Sequence, residues 1–109
     1  MPMRLSLFLL MAVAAVAKPD PAVTAKAGRI LVMRCSGCHG KRVTERGINV
    51  LDRKILISVG VLQPGSEDST LLQVIESGRM PLHGPPLKPE EVAVVRQWII
   101  EGARQFKGK

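Results

Sequence analysis

Aromatic side chains are almost missing from this chain: one tryptophan, two phenylalanines and no tyrosine in 109 residues. Cysteine is scarce as well, at two residues, and acids number 9 against 16 lysines and arginines. Two cysteines allow at most one internal disulfide, which excludes the disulfide-rich class of small secreted domains. No apolar run reaches the length of a membrane span. The longest, Leu5 to Ala17, has thirteen residues with Ser6 inside it, against about 20 for a spanning helix. Internal repeats and low-complexity tracts are absent too.

What stands at the amino end is a short positive start at Arg4, the apolar stretch, and a small-x-small triplet at Ala15-Val16-Ala17. That order matches a secretory signal over residues 1–17, cleaved after Ala17. Residues 18–109 then form one domain of 92 residues with Trp98 and Phe106 as its only aromatics. Loss of Arg4 leaves 15 basic residues against 9 acids, a formal charge of +6. A domain of this size with so few bulky side chains needs a staple: a disulfide, a metal or a large cofactor.

Helical signals dominate the remainder. Asp20-Pro21 predicts a helix start, and Val23, Ala27, Ile30 and Leu31 recur at helical spacing as far as Arg34. Arg46-Gly47 reads as a turn, and Leu51 to Leu62 as an apolar run whose first half is helical and which ends at Gly60. After the Pro64-Gly65 turn, Asp68 or Ser69 caps a second helix with Leu71, Leu72 and Ile75 on one face and Gly78 as its stop. Met80 to Leu87 holds three prolines and a glycine, a stiff extended loop. Pro89-Glu90-Glu91 opens the last helix, which buries Val92, Val95, Trp98 and Ile99 and ends at Gly102. The expected class is all-α, with about three helices.

Both cysteines and one of two histidines fall within five residues, Cys35-Ser36-Gly37-Cys38-His39. This spacing is the attachment pattern of haem c. Thiols three positions apart on a helical turn reach the two vinyl groups on one haem edge, and the histidine after them turns its imidazole under the iron. A tethered haem also supplies the apolar bulk the core lacks. Three rivals use the same residues. A structural disulfide leaves His39 unexplained, and a thioredoxin-like dithiol belongs in an α/β fold. A zinc site from Cys35, Cys38, His39 and His83 suffers because adjacent Cys38 and His39 point apart.

For the sixth iron position, Met1, Met3 and Met11 leave with the signal, and Met33 is tied to the attachment side. Met80 and His83 remain, both in the stiff loop before the last helix. Pro81 holds Met80 extended, which suits a ligand presented from a loop. A thioether ligand raises the reduction potential relative to a second histidine.

With those residues in place, the sequence resembles a class I c-type cytochrome, and more narrowly the planctomycete-type cytochrome c domain, from about Ile30 to Phe106. The resemblance rests on the haem motif followed by Gly40, Pro64-Gly65-Ser66-Glu67 before Ser69-Thr70-Leu71-Leu72, and Arg79-Met80-Pro81. Pro86-Leu87-Lys88-Pro89-Glu90-Glu91 leading into Arg96-Gln97-Trp98-Ile99 and Glu101-Gly102-Ala103 extends it. It implies a small cytochrome c-like fold of about three helices around one covalent haem. It also implies Met80 as the distal ligand, and first and last helices crossed so that Ala27 or Gly28, with Leu31, meets Trp98. The chain departs from the pattern at Ser58-Val59-Gly60-Val61-Leu62, which lacks the usual Gly-Pro step and leaves the partner of the His39 ring unassigned. It departs again at Leu82-His83, which makes His83 a rival to Met80.

The expected function is therefore that of a periplasmic mono-haem electron carrier rather than an enzyme. Cys35 and Cys38 serve as tethers, His39 as proximal ligand, and Met80 as distal ligand with His83 as the alternative. The competing functions are a five-coordinate or labile-ligand haem protein, peroxidase-like or sensing a small ligand, and a haem-free thiol-disulfide oxidoreductase. Lys41, Arg42, Arg46, Arg53 and Lys54 would steer a redox partner with an acidic docking surface. An exported chain without stacking aromatics does not fit nucleic-acid binding. Membrane attachment is expected only if the signal stays uncleaved, and a monomer is the expected state.

Overall fold

The computed structural model describes residues 18–107, so the signal expected at 1–17 lies outside the described residues. All regular structure within them is helical: α1 (Pro21–Arg34), a single 3-10 turn (Glu45–Gly47), α2 (Arg53–Ser58), α3 (Thr70–Glu76) and α4 (Pro89–Ile100). Three of these occupy the expected places. The fourth, α2, is the helical first half of the 51–62 run, and it stands as a helix because Asp52 caps it. The Asp52 carboxylate accepts from the amides of Lys54 (3.0 Å) and Ile55 (3.3 Å). No helix among the described residues is long and apolar enough to cross a membrane.

α1 begins where Asp20 accepts from the Ala22 amide at 2.8 Å, with Pro21 in the first turn. α3 is capped less directly. Ser69 is fully buried and its hydroxyl accepts from the Gln63 amide (2.9 Å), while the Gln63 side-chain carbonyl accepts from Thr70 (3.0 Å). Gln63 thus does the capping that Asp68 or Ser69 was expected to do, because Ser69 is used to close the preceding loop. At α4, the Glu91 carboxylate reaches back to the Lys88 amide at 2.8 Å.

The core joins α1 and α4 across Ala27, Leu31, Val95, Trp98 and Ile99, all 0–1% exposed, with Leu56, Leu62, Leu71, Leu72 and Ile75 arriving from the middle segment. Trp98 meets Phe106 edge-on at 5.9 Å between ring centroids, and its indole N–H donates to the Arg104 carbonyl at 2.9 Å. Of the pair Ala27 or Gly28 expected at the helix crossing, Ala27 is buried in the core with Leu31 and Trp98, and Gly28 lies under Phe106: a Cβ there would come within 2.7 Å of the ring. The carboxyl-terminal tail folds back over α1 and takes that place. The Pro64-Gly65 turn is pinned to α4 by the Gly65 amide donating to the Ile99 carbonyl at 2.7 Å.

Candidate functional site

The motif occupies the turn that ends α1. Cys35 is the cap residue, its amide donating to Leu31 at 3.0 Å, and the Cys38 and His39 amides fold back onto the Cys35 carbonyl at 3.3 and 2.9 Å. Gly40 completes the turn. It is buried, and a Cβ there would lie 2.4 Å from the Ser36 carbonyl oxygen, so only glycine fits. Both cysteines are free thiols, Cys35 half-buried and Cys38 exposed. Burial pushes the Cys35 thiol up to about 11, with Arg34 opposing the rise and Glu91 adding to it.

The loop after the motif is built around His39. Its backbone pairs with Thr44 as an isolated antiparallel bridge, its carbonyl accepts from Val50 (2.8 Å), and the Cys38 carbonyl accepts from Glu45 (2.8 Å). This brings the Glu45 carbonyl to 3.1 Å from the His39 Nδ1. A carbonyl oxygen only accepts, so Nδ1 carries the proton and Nε2 keeps the lone pair that binds a metal in a neutral ring. The partner of the ring, unassigned in the sequence, is a main-chain group six residues downstream. Its place depends on Arg46 and Gly47 both adopting positive φ, 57° and 71°. The Arg46-Gly47 signal found the turn; nothing in the residue types shows which carbonyl that turn presents.

Met80 and His83 sit on the connection between α3 and α4. Met80 is half-buried, with its amide donating to the Val74 carbonyl at 3.1 Å, and a cis peptide joins it to Pro81. His83 is exposed. Met33 projects into solvent at 80% exposure. Among the described residues no three His, Cys, Asp or Glu side chains converge as a metal-holding group. Cys35, Cys38, His39 and His83 therefore do not close a four-ligand zinc site in this arrangement. The Cys35 thiol is held high by burial, and no strand is present among the described residues.

Two residues that sequence reasoning placed elsewhere are tied to the frame. Arg53, read as part of a steering patch, donates from Nε to the Ala103 carbonyl (2.8 Å) and from Nη2 to Gly102 (3.2 Å), holding the end of α4. Arg34, read only as the end of a helix, donates to Glu91 and to the carbonyls of Pro85 and Pro86. The signal for Arg34 was its place directly before Cys35, but its partners lie more than fifty residues away. A groove of about 910 Å³ runs between α1 and the carboxyl-terminal tail along Thr24, Gly28, Val32 and Phe106, and none of the motif residues lines it.

No family model matches the chain, and neither a curated protein nor a solved structure matches it.

Proposed function

We propose that this chain is a periplasmic electron carrier with one covalently attached haem c. The observation that carries the reading is the Cys35–Cys38–His39 turn that ends α1, with a histidine whose Nδ1 is hydrogen-bonded to the Glu45 carbonyl. Such a turn carries two thiols three positions apart and one imidazole nitrogen free to ligate. The donor set fits the group: two thiols for its vinyl positions, Nε2 of His39 as proximal ligand, and Met80, half-buried on a pinned backbone, as distal ligand. His83 is the alternative distal ligand; its exposure favours Met80 in that role.

When bound, the haem supplies the Fe(III)/Fe(II) couple. The chain's part is to hold and tune it. Cys35 and Cys38 would each hold the group through a thioether, the net addition of S–H across a vinyl double bond, which needs no oxidant. Glu45, through its carbonyl, fixes the tautomer and plane of the His39 ring and raises its basicity toward the metal. Met80 would offer a soft thioether, a ligand that favours the ferrous state. A carrier of this kind has no substrate to transform, and a peroxidase-like haem protein is the alternative. The exposed cations Lys41, Arg42 and Arg46, just after the motif, suit a partner with an acidic docking surface.

The test is the visible spectrum of protein exported from a host with haem c maturation machinery. Sharp low-spin bands on reduction, together with the weak far-red band of a methionine–ferric bond, are the expected result. Low-spin bands without that feature would transfer the distal role to His83. A high-spin spectrum with rapid carbon monoxide binding would favour a ligand-binding haem protein, and the absence of covalent haem would overturn the reading.

A further inference from the structure

The connection that carries Met80 is held at three places. At its start the Met80 amide is bonded to the Val74 carbonyl at the end of α3 (3.1 Å). At its end Leu87 is buried in the core. Between them Arg34 reaches across from the last turn of α1. Its Nη2 donates to the Pro85 carbonyl (2.6 Å) and the Pro86 carbonyl (3.1 Å), and its Nη1 to Glu91 Oε1 (2.8 Å). The Arg34 and Glu91 side chains are 19% and 21% exposed, so the pair is shielded from much of the screening that weakens surface ion pairs. Glu91 Oε1 also accepts from the Lys88 amide, so one carboxylate oxygen caps α4 and holds the guanidinium.

Prolines 85 and 86 have no amide to donate, which leaves their carbonyls as the only main-chain groups able to anchor this stretch. A planar guanidinium reaches two carbonyls and a carboxylate together; an ammonium is a point charge without that fork. Since Arg34 is adjacent to Cys35, the clamp links the helix end bearing the first tether directly to the loop bearing the distal ligand. Leu82, His83 and Gly84 are exposed between the anchors.

We propose that Arg34 is a positioning residue for Met80: by clamping the Pro85–Pro86 carbonyls to the end of α1 it holds the distal loop closed and sets how readily an outside ligand displaces Met80. This inference rests on the haem carrier reading. It is tested on the full chain, exported and haem-loaded, by titrating the ferric protein with imidazole and following loss of the far-red methionine band. Arg34→Gln is expected to lower the imidazole concentration for half conversion about tenfold, the scale of a charge-assisted hydrogen bond. Arg34→Lys, which keeps the charge beside Glu91 but loses the fork, should fall between the two. Glu91→Gln keeps an acceptor for the Lys88 amide and should shift the titration in the same direction by less, which also serves if Arg34→Gln fails to fold.

Hydrogen exchange on the same proteins supplies a readout independent of the iron. Exchange of the Met80 and Lys88 amides, the hydrogen-bonded amides at the two ends of the loop, should accelerate in Arg34→Gln while the interiors of α1 and α4 keep their protection. Uniform acceleration along the chain would make Arg34 a general structural residue and overturn the proposal. Unchanged imidazole titrations in a protein that does carry covalent haem and the far-red band would overturn it alone and leave the carrier reading standing. A wild-type protein without covalent haem would overturn both.

Discussion

At the scale of single residues, the two cysteines differ more than their shared motif implies. Cys35 is packed into the end of α1 and burial pushes its thiol up to about 11, whereas Cys38 is exposed. The thiolate is the reactive species, and burial keeps Cys35 in the thiol form where an ordinary cysteine begins to ionise. In protein made without haem attachment, iodoacetamide should therefore modify Cys38 at least about tenfold faster than Cys35, as read by peptide mass mapping. The sign for stability follows from the same shift. The folded state binds the Cys35 proton more tightly than the unfolded chain does, so its contribution is whole below the ordinary thiol range and drains away as pH rises toward about 11. A thioether has no proton to lose, and the haem-linked protein should lack that dependence. Residue types were enough to single out Cys35, Cys38, His39 and Met80; they were silent on the environment that makes the two sulfurs unequal.

At the scale of elements, the helices are short and their ends matter. α2 has six residues, below the length at which a helix sustains itself, so its cap and its single buried side chain, Leu56, carry it. Asp52→Ala removes the acceptor for two amides and should cost about 1 kcal/mol of global stability by urea denaturation. The ends of α1 and α4 could be read along the chain because Asp20-Pro21 and Pro89-Glu90-Glu91 are local signals that act within one turn. The cap of α3 could not. Gln63 stands seven residues before Thr70, and its amide oxygen reaches that helix only because the Pro64-Gly65 turn is itself pinned to α4. Arg53 shows the same limit: a cation in a basic run is indistinguishable from its neighbours until the end of α4 arrives beside it.

At the scale of the whole molecule, the contact of α1 with α4 and the return of the tail over α1 decide which side chains are interior. Arg96 adds a polar link from α4, paired with Glu76 at the end of α3. Gly28 is the sharpest case. Within an isolated helix, alanine is more favourable than glycine by about 1 kcal/mol. In the folded protein a Cβ at this position would press on the Phe106 ring, whose Cγ and Cδ1 would be 2.7 Å away and whose own Cβ 3.0 Å away. Gly28→Ala should therefore destabilise by about 1–3 kcal/mol and lower the melting temperature, reversing the sign that helix propensity alone assigns. An unchanged or higher melting temperature would mean that the tail carrying Phe106 yields at little cost.

The helical class and the places of three helices were determined by the sequence alone, and the Cys-x-x-Cys-His turn marked the candidate site, because each depends on interactions within a few residues: caps, apolar spacing and motif spacing. Tertiary structure alone decided which carbonyl takes the His39 proton, which cation locks the end of α4, and what covers Gly28. It also decided that Arg34 holds the loop of Met80. Each of those contacts joins groups that local geometry does not bring together, through main-chain atoms that every residue type shares or through long side chains whose partners are chosen only when the helices pack.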